Sequence, residues 1–155
     1  MTHRNGRDDE YWMQQAIELA ERAQQQDEVP VGALIVVGDE VAGSGWNQSI
    51  TTKDPTAHAE IVALRDASQQ IQNYRLPQLS TMYVTLEPCA MCAGALVHAR
   101  IGRVVFGATD PKAGAVQSYF NVLSTEHLNH RAEWTGGVLE ASCSDMLKNF
   151  FQARR

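Results

Sequence analysis

Two short segments set the strongest constraint on how this chain can fold. His58-Ala59-Glu60 and Pro88-Cys89-Ala90-Met91-Cys92 each open a helix-like stretch, and 31 positions separate His58 from Cys89. Cys89 and Cys92 are three apart, so within a helical turn they project from one face. At a helix N-terminus, unpaired N–H groups and the positive end of the dipole favour thiolate over thiol, and thiolate binds metal. His58 adds a neutral imidazole from a second helix start, bringing the candidate ligands to three. Any fold for this chain has to bring those two helix starts together.

Three protein ligands plus one water is the catalytic pattern for zinc, and two thiolates with an imidazole suit that metal. Zinc lowers the pKa of such a water to about 7. Glu60 is expected beside the water as a proton shuttle and not as a ligand. Two positions from His58, it would not share that ligand's face inside a regular helix. At the first turn, side chains can still converge over the end.

The rest of the pattern is alternating helix and strand. Asp8 or Asp9 can cap a helix running to Gln26, with Met13, Ala16, Ile17, Ala20 and Ala23 as its apolar stripe. Ala33–Val37 and Val41–Trp46 form a hairpin across Gly38-Asp39-Glu40. A helix is expected over Ala57–Gln70, a strand over Thr81–Leu86, a helix from Cys89 or Ala90 to His98, and a strand over Arg103–Gly107. Ala108–Arg131 is irregular, with a short helix near Tyr119–Leu123. A strand at Glu133–Val138 and a helix over Leu139–Arg154 follow. This order predicts an α/β layered fold around one sheet, in a single domain over residues 1–155.

Composition excludes a few classes. The Val31–Val37 apolar run is too short to span a bilayer and contains a glycine, so no membrane segment is expected. The first ten residues are polar and lack a secretory core, which makes the cytoplasm the expected compartment. There a C-x-x-C reads as metal or redox chemistry rather than a structural disulfide. The third cysteine, Cys143, reads as a small buried hydrophobe. A net charge of −5 does not suggest a nucleic-acid binder. Yet the imbalance lies before Cys89, with six Lys and Arg against thirteen Asp and Glu; from Cys89 on there are seven against five. A local basic face is therefore permitted, from Arg100, Arg103, Lys112, Lys148, Arg154 and Arg155.

His-x-Glu followed by Pro-Cys-x-x-Cys is the signature of zinc deaminases. Beyond it, the chain resembles the bacterial tRNA-specific adenosine deaminases from Glu10-Tyr11-Trp12-Met13 to Phe150-Phe151. The stretches that carry the resemblance are Glu28–Ala33, Asp54–Glu60, Asn73–Leu76, Tyr83–Cys89, Cys92–Ala95 and Arg100–Gly107. It implies hydrolysis of adenosine to inosine at the wobble position of a tRNA anticodon loop. It also implies a three-layer α/β/α sandwich of the cytidine-deaminase type, with a central mixed sheet of about five strands, working as a homodimer. By that resemblance His58, Cys89 and Cys92 hold one Zn2+ per subunit, Glu60 is catalytic, and Asn47, Asp110 and Lys112 contact the tRNA anticodon stem-loop. The C-terminal helix around Phe150 and Phe151 would lie near the RNA. The chain departs from the family at Gln117, where a glycine is usual.

Other readings compete at each position. A structural zinc would need a fourth ligand from His98, His127, His130 or Cys143. A redox pair at Cys89 and Cys92 leaves His58 and Glu60 unexplained. Deamination of a free base or nucleoside would use the same metal group, and a zinc-stabilised RNA-binding module would have no need of Glu60. Asn47 could simply end a strand, Asp110-Pro111 is turn chemistry by itself, and Lys112 could be a solvated lysine. His98 suits a helix C-terminus, His127 and His130 lie in a polar loop, and the three tryptophans suit core or interface positions.

Overall fold

The computed structural model describes residues 7–124 and 130–154. Helix α1 (Asp9–Gln25) begins where Asp8 caps it, the carboxylate accepting from the Tyr11 N–H at 2.9 Å. Its apolar stripe is buried along its length: Trp12, Met13, Ala16, Ile17, Ala20 and Ala23. A hairpin of β1 (Gly32–Val37) and β2 (Glu40–Trp46) follows, then a one-turn helix α2 (Ser49–Thr52) and the helix α3 (Ala59–Ile71). Strand β3 (Ser80–Leu86), helix α4 (Ala90–His98) and strand β4 (Arg103–Ala108) form a βαβ unit. A 3-10 turn at Val122–Ser124, the short strand β5 (Glu133–Thr135) and helix α5 (Glu140–Gln152) complete the order.

The strands form one sheet in the order β2-β1-β3-β4-β5. It is mixed: β1 runs antiparallel to β2 and β3, while β3, β4 and β5 are parallel. Side chains alternate across the pleat and divide the core in two. Ala33, Ile35, Met82, Val84, Val104 and Phe106 face α3 and α4. Their neighbours Leu34, Val36, Tyr83 and Val105 face Trp12, Met13, Ala16 and Ile17 of α1 and Cys143 of α5. The outcome is a three-layer α/β/α sandwich around a five-stranded mixed sheet.

Two close contacts fix the layers. A Cβ on Gly107 of β4 would overlap the Cys143 sulfur, so the glycine sets how near α5 can lie. At the start of the parallel strands, Arg103 grips Asp9 through two bonds of 2.9 and 2.7 Å, Tyr83 donates to Asp9 at 2.8 Å, and Arg103 also reaches Thr135. That network ties α1 to β3, β4 and β5. The opposite ends of β3 and β4, where Leu86 pairs with Ala108, are where open α/β sheets place ligands.

The differences from expectation are local. Helix α3 begins at Ala59 and not Ala57, leaving His58 at its cap. The helix foreseen near Tyr119–Leu123 is a 3-10 turn displaced to Val122–Ser124, and the last strand stops at Thr135.

Candidate active site

His58 and Cys89 are both helix N-caps, with extended backbones at φ −71°, ψ 156° and φ −76°, ψ 176°. Neither side chain caps its own helix. An N-cap normally spends its side chain on a free helical N–H; here the imidazole and the thiol turn toward each other instead. The His58 Nδ1 lies 3.6 Å from the Cys89 sulfur and 3.5 Å from the Cys92 sulfur. One donor atom from each residue lies within 4.8 Å of the others, so the group could hold a metal ion.

Glu60 reaches the same spot because His58 is not helical. The rule that positions i and i+2 diverge applies only inside a helix. The Glu60 side chain is buried and in hydrogen-bond contact with Cys92. Burial pushes its carboxyl up to about 7, against the opposing pull of its own backbone N–H. The two sulfurs are shifted in opposite directions. The hydrogen bond from Cys92 draws Cys89 down to about 4, with His58 adding to it. Cys92 is held up by its bond to Cys89 and by burial. The hydrogen bond with Cys89 in turn raises His58.

Asn47, just past β2, caps α3 in place of His58: its side-chain oxygen accepts from the Ala59 N–H at 2.8 Å. Its own N–H donates to the Val31 carbonyl at 3.1 Å. The side-chain amide nitrogen has no partner among the described residues. The adjoining one-turn helix is held by the buried Glu28, which accepts from the Ile50 and Thr51 N–H groups and from the Thr51 hydroxyl. Sequence reasoning gave Glu28 no role.

Asp110 and Lys112 lie in the loop after β4. The Asp110 carboxylate accepts from the Lys112 and Ala113 N–H groups, both at 3.2 Å, which is the local turn chemistry of an Asx motif. Lys112 is exposed. Gln117 is also exposed and is absent from the left-handed non-glycine residues, which are Asp27, Lys53, Gln72, Arg100 and Leu139 among those described. A glycine is therefore not required at 117, and the departure leaves the loop unstrained there.

The remaining candidates separate cleanly. His98 ends α4, and Cys143 is buried against β4, its thiol pushed up to about 12 by burial. The half-buried His130 ring donates to the Ile101 carbonyl at 2.6 Å and lies outside the His58, Cys89 and Cys92 group. His127 and Arg155 fall outside the described residues. Trp12 is core, Trp46 bonds Gln26 through its indole N–H, and Trp134 stacks on Phe106. Phe150 is buried, whereas Phe151 is half exposed and lines an open cavity with Asp110, Pro111 and Lys148. Arg154 is taken up by Asp27 and the Phe150 ring.

The chain is similar to known proteins in sequence and in fold. A family model described as MafB19-like deaminase matches residues 7–155. The tRNA-specific adenosine deaminase of Haemophilus influenzae is 54% identical over 148 residues, covering 95% of this chain and 85% of that protein. The protein of the same name from Bacillus subtilis is 44% identical, with coverage of 95% and 91%. A solved structure from work on A-to-I editing by tRNA:A34 deaminases at the wobble position of transfer RNA is 39% identical. It superposes with a TM-score of 0.85 over 88% of this chain and 99% of that one. Motif, fold and overall similarity thus converge, and this chain belongs to the MafB19-like deaminase family, among the tRNA-specific adenosine deaminases.

Proposed function

We propose that this protein converts adenosine to inosine at the wobble position of a tRNA anticodon loop, adding water and releasing ammonia, with zinc held by His58, Cys89 and Cys92. The observation that carries the metal assignment is the spacing of the donors. Zinc–sulfur bonds of about 2.3 Å and zinc–nitrogen bonds of about 2.0 Å at tetrahedral angles put the nitrogen and a sulfur about 3.5 Å apart. The chain holds them at 3.5 and 3.6 Å. Zinc bound there supplies an activated water at neutral pH.

Glu60 handles the protons. A carboxyl lifted to about 7 is near the working pH, so it can take a proton from water and return it to the purine ring nitrogen and the departing amine. Its burial excludes bulk water as a competing proton source. Asn47 offers its free amide N–H to the nucleotide while its oxygen holds α3. Asp110 and Lys112 present a loop to the flanking anticodon nucleotides, and Lys112 supplies positive charge where the net charge of the chain is negative. An unpaired base in an anticodon loop is easily extruded, so no duplex has to be melted. The reading extends to one catalytic domain spanning the chain, a homodimer and a cytoplasmic setting.

The test pairs the native protein with Glu60→Gln on a wobble-adenosine stem-loop, with zinc content measured on both. The native protein should form inosine. Glu60→Gln should keep its zinc and lose turnover by about a thousandfold or more, the scale of general acid–base catalysis at its upper range. Turnover in the variant within tenfold of native would remove Glu60 from the mechanism.

A further inference from the structure

A second buried carboxylate stands beside the metal group and plays no part in the chemistry above. Glu87 is 2% exposed and follows β3, two residues before Cys89. Four backbone N–H groups of the loop after β4 donate to it: Asp110 to Oε1 at 3.0 Å, and Val116, Gln117 and Ser118 to Oε2 at 3.2, 2.7 and 2.8 Å. The Ser118 hydroxyl donates to Oε1 as well. Successive N–H groups converging on one oxygen form a nest, the concavity that elsewhere holds phosphates and other anions. In this chain Glu87 fills it.

Two further contacts bind the same loop to the ligand segment. The Ala115 N–H donates to the Pro88 carbonyl at 2.8 Å, and Cys89 forms an isolated β-bridge with Gly114. A Cβ on Gly114 would overlap the Glu87 carboxyl, so the backbone closes over the carboxylate only because that residue is glycine. Every group facing Glu87 is a donor. An ionised carboxylate, which only accepts, satisfies all of them, whereas a glutamine would aim an amide NH2 at part of the set.

We infer that Glu87 is a positioning residue for substrate recognition: its carboxylate clamps residues 110–118 against the segment that carries Cys89, and so fixes where Asp110 and Lys112 stand relative to the reacting base. The inference rests on the deaminase reading above, but its geometry concerns the loop and not the metal. Loss of the clamp should weaken binding of the anticodon loop more than it slows the chemical step, because His58, Glu60, Cys89 and Cys92 are placed by the starts of α3 and α4.

The test uses zinc-loaded protein and two variants, Glu87→Gln and Ser118→Ala, the second removing one bond from an exposed residue. Zinc content, KM and kcat on the wobble-adenosine stem-loop, and hydrogen exchange of the loop amides are measured for each. Glu87→Gln should keep its zinc, raise KM about tenfold with a smaller change in kcat, and speed exchange at Gln117 and Ser118 about tenfold. Ser118→Ala should shift KM and exchange the same way by less. Unchanged exchange, or a kcat loss at constant KM, would overturn the inference; zinc loss from folded Glu87→Gln would do the same, by making Glu87 a support for Cys89. If Glu87→Gln does not fold, Ser118→Ala decides by the same criteria. If the native protein leaves the stem-loop untouched, the substrate reading fails, and exchange alone then decides whether Glu87 holds the loop.

Discussion

Asn47 caps α3 through its amide oxygen and, in the proposed reading, offers its amide nitrogen to the nucleotide, and substitution can separate the two. Its oxygen caps α3 from outside the helix, accepting from the Ala59 N–H at 2.8 Å, because the residue at the cap position, His58, points at the cysteines. Its nitrogen is the end assigned to the nucleotide. Asn47→Ala removes both; Asn47→Asp keeps an acceptor oxygen, places a negative charge at a helix N-terminus where it is favoured, and loses the donor. Loss of an N-cap costs about 1 kcal/mol, within a range of about 0.5–2. For a domain of this size each kcal/mol lowers Tm by about 2–4 °C. Asn47→Ala should therefore melt about 2–4 °C lower, while Asn47→Asp should melt within about 1 °C of the native protein, since its cap is intact. Both should lose kcat/KM on the stem-loop by about 10–100-fold, the worth of one hydrogen bond in a desolvated site. Thermal melts by circular dichroism and steady-state deamination give the two readings. Full activity in Asn47→Asp would show that the amide nitrogen does not touch substrate, and an unchanged Tm in Asn47→Ala would refute the capping account.

Neighbouring phenylalanines in α5 should respond in opposite ways. Phe150→Ala opens a hole in a buried position and should destabilise by about 3–5 kcal/mol, whereas Phe151→Ala, on the surface beside Lys148, should leave Tm alone and raise KM for the stem-loop. Equal melting losses in both would contradict the burial difference. Gly107→Ala should destabilise by about 1–3 kcal/mol, because the added methyl meets the Cys143 sulfur. Adding Cys143→Ala should recover part of that loss, and strict additivity in a double-mutant cycle would show that the two do not touch.

The His58, Cys89 and Cys92 group was legible in the sequence because metal chemistry demands particular residue types at helix starts, and the alternating strands gave the sheet for a similar reason: β1, β3 and β4 each bury one face against each helix layer. What escaped were residues whose partners lie far along the chain. Glu87 looks like the end of a strand, yet its donors come 23–31 positions later. Glu28 holds a helix turn 22 and 23 positions away. That turn, Ser49–Thr52, has no buried residue and hence no apolar periodicity to reveal it. The stretch after β4 is organised largely by N–H groups around a carboxylate, and backbone donors leave no trace in side-chain patterns. Asn47 was assigned to substrate or to a turn, and the cap it supplies to α3 was visible only once β2 and α3 lay side by side.

The central claim is that this chain acts on a base presented in an anticodon loop and not on a free one. The direct test is to incubate zinc-loaded protein with a wobble-adenosine stem-loop, free adenosine, free cytidine and free guanine, and to quantify the deaminated products by mass spectrometry. Inosine from the stem-loop, with the free compounds unchanged, is the predicted result. Turnover of a free compound with the stem-loop intact would keep the site chemistry and contradict the RNA substrate.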